Sequence, residues 1–281
     1  MSKRKTKEII KLTILNVFFI VLCAVVLVPI LYAFLISFSG GGTLLASNIA
    51  AMFEKITIKN YVAVLTEEPF LIWLKNTTIL CTATMVLAMT LAIVAAYAFS
   101  RYRFVGRTKI LKLLLILNAF PQILSMFAIF RLFKTVGLLN NRLGLVIVYA
   151  GTMCIFGIWN LKGYFDSIPV EIEEASKIDG ASDLQLLVKI IFPLAVPAVI
   201  VTAVMVLIYV WNEYLFSSTF MLGNEYTTLA GGLYSLQATD YSRNWPIFTA
   251  ASVLVSIPIL IIFFKIQKYM VSGLTAGGVK G

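Results

Sequence analysis

Charged residues in this chain fall in clusters, and the intervals between the clusters are apolar. Six long intervals contain no Asp, Glu, Lys or Arg: 12–53, 76–100, 113–130, 143–161, 190–212 and 244–264. A charge at the centre of a bilayer costs about 2.5–3.5 kcal/mol on insertion scales, so such intervals are where membrane spans belong. A helix needs about 20 apolar residues to cross ~30 Å of hydrocarbon. In the first interval Gly40, Gly41 and Gly42 end the apolar part near Phe38, and a mixed polar loop follows. The interval 113–130 is short, and Lys112 or Arg131 can snorkel at its ends. The pattern predicts six spanning helices in an all-α polytopic membrane protein.

Six spans put both termini on one side of the membrane. If that side is the cytoplasm, 16 basic residues lie inside and 7 outside, the bias expected of cytoplasmic loops. The start of the chain is basic, but the apolar run from Leu12 to Phe38 is too long for the h-region of a signal peptide, about 7–15 residues. It reads as an uncleaved first span, which points to a bacterial cytoplasmic membrane. This gives a cytoplasmic N-terminus at 1–11, a six-helix membrane domain over 12–270 and a cytoplasmic tail at 271–281.

Composition agrees with the pattern. Hydrophobic residues make up 60% of the 281 and charged residues 13%, about half the charge of an ordinary soluble domain. The net charge of +10 is spread over the connections between spans, which favours lipid headgroups over nucleic acid. Histidine is absent, which removes His-based metal sites and Ser-His-Asp triads. Cys23, Cys81 and Cys154 lie inside apolar stretches with no Cys-x-x-Cys, and read as small buried hydrophobes. No cofactor is expected on this chain: a phosphate-cradling P-loop requires Gly-Lys, a dipeptide the sequence lacks.

Within the spans, polar residues and kinks mark candidates. Asn118 and Gln122 flank Pro121 at apolar depth, where they cannot face lipid without a partner. Two readings stand, an interhelical hydrogen bond or the lining of a pathway. Glu213, beside Trp211 and Asn212, is the one carboxylate near the middle of an apolar run. It lies roughly 30 Å of helix beyond Pro193, which places it near the outer interface as a structural or gate contact, or else as a proton site.

The segment 162–189 holds six of the 13 carboxylates and is far longer than a connector requires. Ser167 and Pro169 open a helix, and Glu171, Glu173 and Glu174 suit its positive end. Glu173 and Lys177 are spaced for an i,i+4 pair. Ile172, Ala175 and Ile178 make one apolar stripe. Gly180 fits a left-handed helix stop, and Ser182 with Gln185 fits a capping box for a second helix that runs into Ile190 and Pro193. The segment reads either as a device that passes force from a partner to the fifth span or as a structural loop lying on headgroups.

Glu174-Ala175-Ser176, three residues, Gly180, nine residues, Ile190, one residue, Phe192-Pro193 resembles the EAA loop of ABC importer permeases, with Ser176 and Phe192 as the departures. The run Ile172 to Ala181 resembles the carbohydrate branch. The C-terminal residues Gly273 to Gly281 are similar to the tail of the shorter permease subunit of maltose/maltodextrin importers. Ala95 to Arg101 and Trp159 to Phe165 are weaker matches.

The resemblance implies a type I ABC importer permease fold and transport of maltose, maltodextrin or a related oligosaccharide by alternating access. It implies four kinds of partner: a second, paralogous permease, two ATPase subunits that hold ATP and magnesium, an external sugar-binding protein, and membrane lipid. It assigns coupling to Glu171, Glu173, Glu174, Ala175, Asp179, Gly180, Ile190 and Pro193, with Glu174 the main polar contact. The tail residues Gly273, Leu274, Thr275, Gly277, Gly278 and Lys280 would lie extended in the ATPase interface. The rival reading is an ion-gradient-driven secondary transporter, which would need buried midplane carboxylates and an inverted repeat.

Overall fold

The computed structural model describes residues 3–40, 56–238 and 245–278. These are helical almost throughout, with one isolated antiparallel bridge, Ser39 to Ile56. The long helices are α1 (Lys3–Ser37), α3 (Phe70–Arg101), α6 (Arg142–Asp166), α9 (Phe192–Asn212) and α12 (Trp245–Gly278). Shorter ones are α2 (Lys59–Thr66), α4 (Arg107–Ala119), α5 (Gln122–Val136), α7 (Glu171–Ile178), α8 (Asp183–Gln185), α10 (Leu215–Phe220) and α11 (Leu229–Ala238). By packing, the chain divides into one unit of Met1–Phe70 with Leu233–Ser256 and another of Leu71–Gly232 with Ile257–Gly281.

In the first unit α1 ends at Ser37, where the apolar run meets the glycines. Asn60 donates its amide to the carbonyls of Ser37 and Ser39, both at 2.9 Å, and the Ser37 hydroxyl lies 2.6 Å from that of Tyr61. The two Asn60 bonds satisfy carbonyls left unpaired where the helix ends.

The third interval is not one straight helix. α4 and α5 meet at 93° across Phe120 and Pro121. Proline has no N–H to donate and drives the residue before it out of the helical region, and Phe120 is extended at φ −69°, ψ 133°. Among the described residues, five helices are thus long and apolar enough to span, and the bent pair supplies a sixth crossing if it counts as one broken span. Other boundaries run past the charge-free intervals. α1 begins at Lys3, α3 takes in Lys75 and α6 takes in Lys162, because charges near a span's end reach the interface without ending the helix.

The second unit is built on α3, α6 and α9. Ala88, Ala92 and Ala96 of α3 pack with Ala150, Ile158, Leu161 and Phe165 of α6 and Ala195 and Val206 of α9. Small residues let helices approach where lipid offers no hydrophobic contrast. A Cβ on Gly157 would stand 2.7 Å from that of Ala92, so α3 and α6 touch there with no space to spare. Three residues on, Asn160 donates to the Thr202 hydroxyl of α9 at 2.6 Å. Gly157→Leu is expected to force these helices apart, an overpacking cost of about 1–3 kcal/mol. A lower unfolding temperature of the detergent-purified protein would show it; an unchanged one would remove the contact from the account.

Candidate functional site

The segment after α6 folds as a helix, a glycine turn and a second helix. Val170 stands at the N-cap of α7, one residue beyond Pro169, and Glu171, Glu173 and Glu174 occupy its first turn. The helix closes as a Schellman motif. Ala181 N–H reaches the Ser176 carbonyl at 3.1 Å, and Gly180 N–H reaches that of Lys177 at 3.0 Å. The motif requires a left-handed residue, and Gly180 has φ +85°. Ser182 and Gln185 then form a full capping box, with Ser182 N–H to Gln185 Oε1 at 2.9 Å and Gln185 N–H to Ser182 Oγ at 3.4 Å.

The helix that follows changes pitch. Leu186–Ile191 is π-helical and passes without a break into α9, which has Pro193 in its first turn. In an α-helix the Pro193 ring would press on the carbonyl four residues back, at Lys189; a wider turn there removes the clash. Ile190 is half-buried inside the π segment and Pro193 is exposed at its end.

The two faces of α7 differ in chemistry. Outward face Ile172, Ala175 and Ile178, with Ile178 87% exposed, and Val170 and Leu184 extend the apolar surface on either side. Glu171, Glu174 and Asp179 are exposed around it. Inward faces Glu173, only 4% exposed. Its partner is not Lys177, which pairs with Asp183 across the glycine turn at 3.5 Å. Glu173 pairs with Arg101 at the end of α3 and accepts a further bond from the Tyr97 hydroxyl at 3.1 Å. An i,i+4 helix pair is worth only a few tenths of a kcal/mol, so a buried guanidinium displaces it. Arg101 also donates to the Ile168 carbonyl and the Ser100 hydroxyl, each at 3.1 Å, and Ser100 donates to Asp166 at 2.7 Å. On the far side of the turn, the carboxylate of Asp183 is the first cause holding the Tyr102 phenol above its ordinary pKa.

The span candidates are placed as follows. Asn118 and Pro121 are exposed, while Gln122 is half-buried and its Oε1 accepts from the Tyr209 hydroxyl of α9 at 3.1 Å. Trp211 is buried, and Asn212 is exposed with its amide on the Ile208 carbonyl at 2.8 Å. Glu213 sits where α9 stops. It takes the Tyr149 hydroxyl of α6, Phe216 N–H at 2.7 Å and Ser217 N–H at 3.1 Å. One carboxylate thus ends α9, starts α10 and ties both to α6.

Of the tail, Gly273, Leu274, Thr275, Gly277 and Gly278 are the last turns of α12 instead of an extended strand, and Lys280 lies outside the described residues. Each interior glycine makes a helix about 1 kcal/mol less favourable than alanine would, so these turns are cheap to unwind. Tyr97, Arg101, Tyr102 and Tyr149 were not sequence candidates. Tyr97 and Arg101 carried a signal, as members of the run Ala95 to Arg101 that resembles ABC permeases.

A family model described as "Binding-protein-dependent transport system inner membrane component" matches residues 88–275. The maltodextrin transport system permease protein MdxG of Bacillus subtilis is 35% identical over 249 residues, 89% of this chain and 84% of that one. The trehalose/maltose transport system permease protein MalG of Thermococcus litoralis is 34% identical over 277 residues, 98% and 99% of the two chains. Among solved structures, a chain of a bacterial ABC transporter involved in the import of the acidic polysaccharide alginate superposes with a TM-score of 0.79 at 28% identity, covering 96% of this chain and 98% of that one.

Proposed function

We propose that this chain, which belongs to the binding-protein-dependent transport system inner membrane components, moves maltose, maltodextrin or a related oligosaccharide by alternating access under the drive of separate ATPase subunits. It is a multi-pass permease subunit of a sugar ABC importer, a membrane component and not the enzyme of the system. The permeases of maltodextrin and trehalose/maltose systems support the choice of sugar by their identity over most of their length.

The observation that carries the mechanism is the form of residues 167–192. α7 offers an apolar face rimmed by carboxylates, it closes in a left-handed turn at Gly180, and the helix that begins at Asp183 runs without a break into α9. A cleft in an ATPase subunit that receives Ile172 and Ile178, with a basic group for Glu174, would hold the helix as a handle on that span. The handle, the N-terminus and the tail would then lie in the cytoplasm, as the distribution of basic residues also favours. The remaining partners would be a paralogous permease, two ATPases holding ATP and magnesium, and an external binding protein. Residues 273–280 would add a second ATPase contact once the glycine-rich turns open. Glu213 gives the ion-gradient alternative no support, because its oxygens are engaged in joining three helices.

The double variant Ile172→Asp, Ile178→Asp tests the docking face. Two charges in an apolar interface should cut the ATPase co-purified with the permease by roughly tenfold or more, with the permease still in the membrane fraction. Full retention of the ATPase by that variant would refute α7 as the docking helix.

A further inference from the structure

We propose that Arg101 and Glu173 form a latch that fastens α7 to the end of α3, so that a displacement imposed on α7 moves α3 and α9 together. These are positioning residues for transport, and the proposal rests on the reading of α7 as the ATPase-docking helix.

Glu173 is turned inward while Glu171 and Glu174 of the same turn stay exposed. A buried carboxylate is expensive unless it is paired and hydrogen-bonded, and an apolar pair in place of both partners would often stabilise a fold as well or better. What the ion pair adds is one defined geometry. Both carboxylate oxygens are engaged, Oε1 by Arg101 and Oε2 by Tyr97. The other guanidinium nitrogens of Arg101 fix the Ile168 carbonyl and Ser100, so a single side chain joins the end of α3, the α6–α7 connection and α7. Residues 97–101 therefore grip the chain before the glycine turn, and Lys177 pairs with Asp183 across it at 3.5 Å.

The mechanical consequence follows from the joints. Without the latch, α7 hangs between two connections, 167–170 and 179–181, and their bending could absorb its motion. With the latch, motion of α7 is delivered to α3, a helix of 32 residues whose Ala92 abuts Gly157 of α6. Two spans then receive the stroke directly and a third receives it through close packing.

The test uses the complete importer in liposomes, with its ATPase subunits and binding protein and maltotriose as cargo. In Glu173→Gln and Arg101→Lys the ATPases should remain bound and hydrolyse ATP at close to the normal rate, while sugar moved per ATP falls roughly tenfold. In a background with Cys23, Cys81 and Cys154 changed to alanine, Arg101→Cys with Glu173→Cys should be uncoupled. A short bifunctional methanethiosulfonate should restore uptake in that variant, and reductant should abolish it again. Normal sugar per ATP in Glu173→Gln, or a cross-link without effect, overturns the latch. So does loss of the ATPases from Glu173→Gln, which would make Glu173 part of docking itself. Failure of the docking reading is a separate result, seen as ATPase retention by the Ile172→Asp, Ile178→Asp variant.

Discussion

Sugar uptake driven by ATP is expected to fall roughly tenfold or more in Gly180→Val and to survive in Gly180→Asn, with both proteins in the membrane at normal levels. The contrast isolates backbone conformation from crowding. No atom lies within 4 Å of where a Cβ on Gly180 would stand, so size is not the obstacle. The obstacle is φ +85°, which a β-branched residue resists at a cost of about 1–3 kcal/mol and asparagine tolerates far better. Valine should relax the turn, lose the Schellman bonds and change the angle at which α7 leaves the span. Uptake and ATP hydrolysis measured in the same proteoliposomes would show it as hydrolysis without transport. Equal uptake by the two variants would detach the left-handed turn from coupling.

The second large effect concerns Glu213. Glu213→Ala removes the acceptor for two backbone N–H groups and the Tyr149 hydroxyl, and each donor left unpaired out of water costs about 1–3 kcal/mol. α10 should lose its start, and the purified protein should unfold at a clearly lower temperature with little uptake. Glu213→Gln keeps a carbonyl oxygen at the site and should retain most uptake, with an unchanged pH profile. A Gln variant with full stability but no transport, or a shifted pH profile, would return Glu213 to the role of proton carrier.

Much of the architecture was legible because burying a charge in lipid is costly. That one rule located α1, α3, α6, α9 and α12, while the glycines at 40–42 marked the end of the first span near Phe38. The same rule is blind to helix continuity. Proline chemistry marked Pro121 as a kink within a span but did not foresee that α4 and α5 would part at 93°. Local chemistry was legible around residue 180, since the capping box and the left-handed glycine depend only on neighbours along the chain. Glu173 was not. Its sequence neighbour Lys177 suggested a surface pair, whereas its partner Arg101 lies 72 residues away. Periodicity finds which residues share a face, as with Ile172, Ala175 and Ile178, but it does not say whether that face looks inward. Here the apolar stripe is outside and an acid is inside, the reverse of an ordinary amphipathic surface helix.

The π segment Leu186–Ile191 gives the importer a gearing element. A π turn carries a surplus of about one residue over an α turn, and one α-helical residue corresponds to roughly 100° of rotation and 1.5 Å of rise. If that surplus migrated along the helix, α9 would spin about its own axis relative to the segment that precedes it, exchanging its ladder of hydrogen bonds a rung at a time. A pull at one end could therefore emerge as a twist at the other, presenting a different strip of the span to whatever passes beside it.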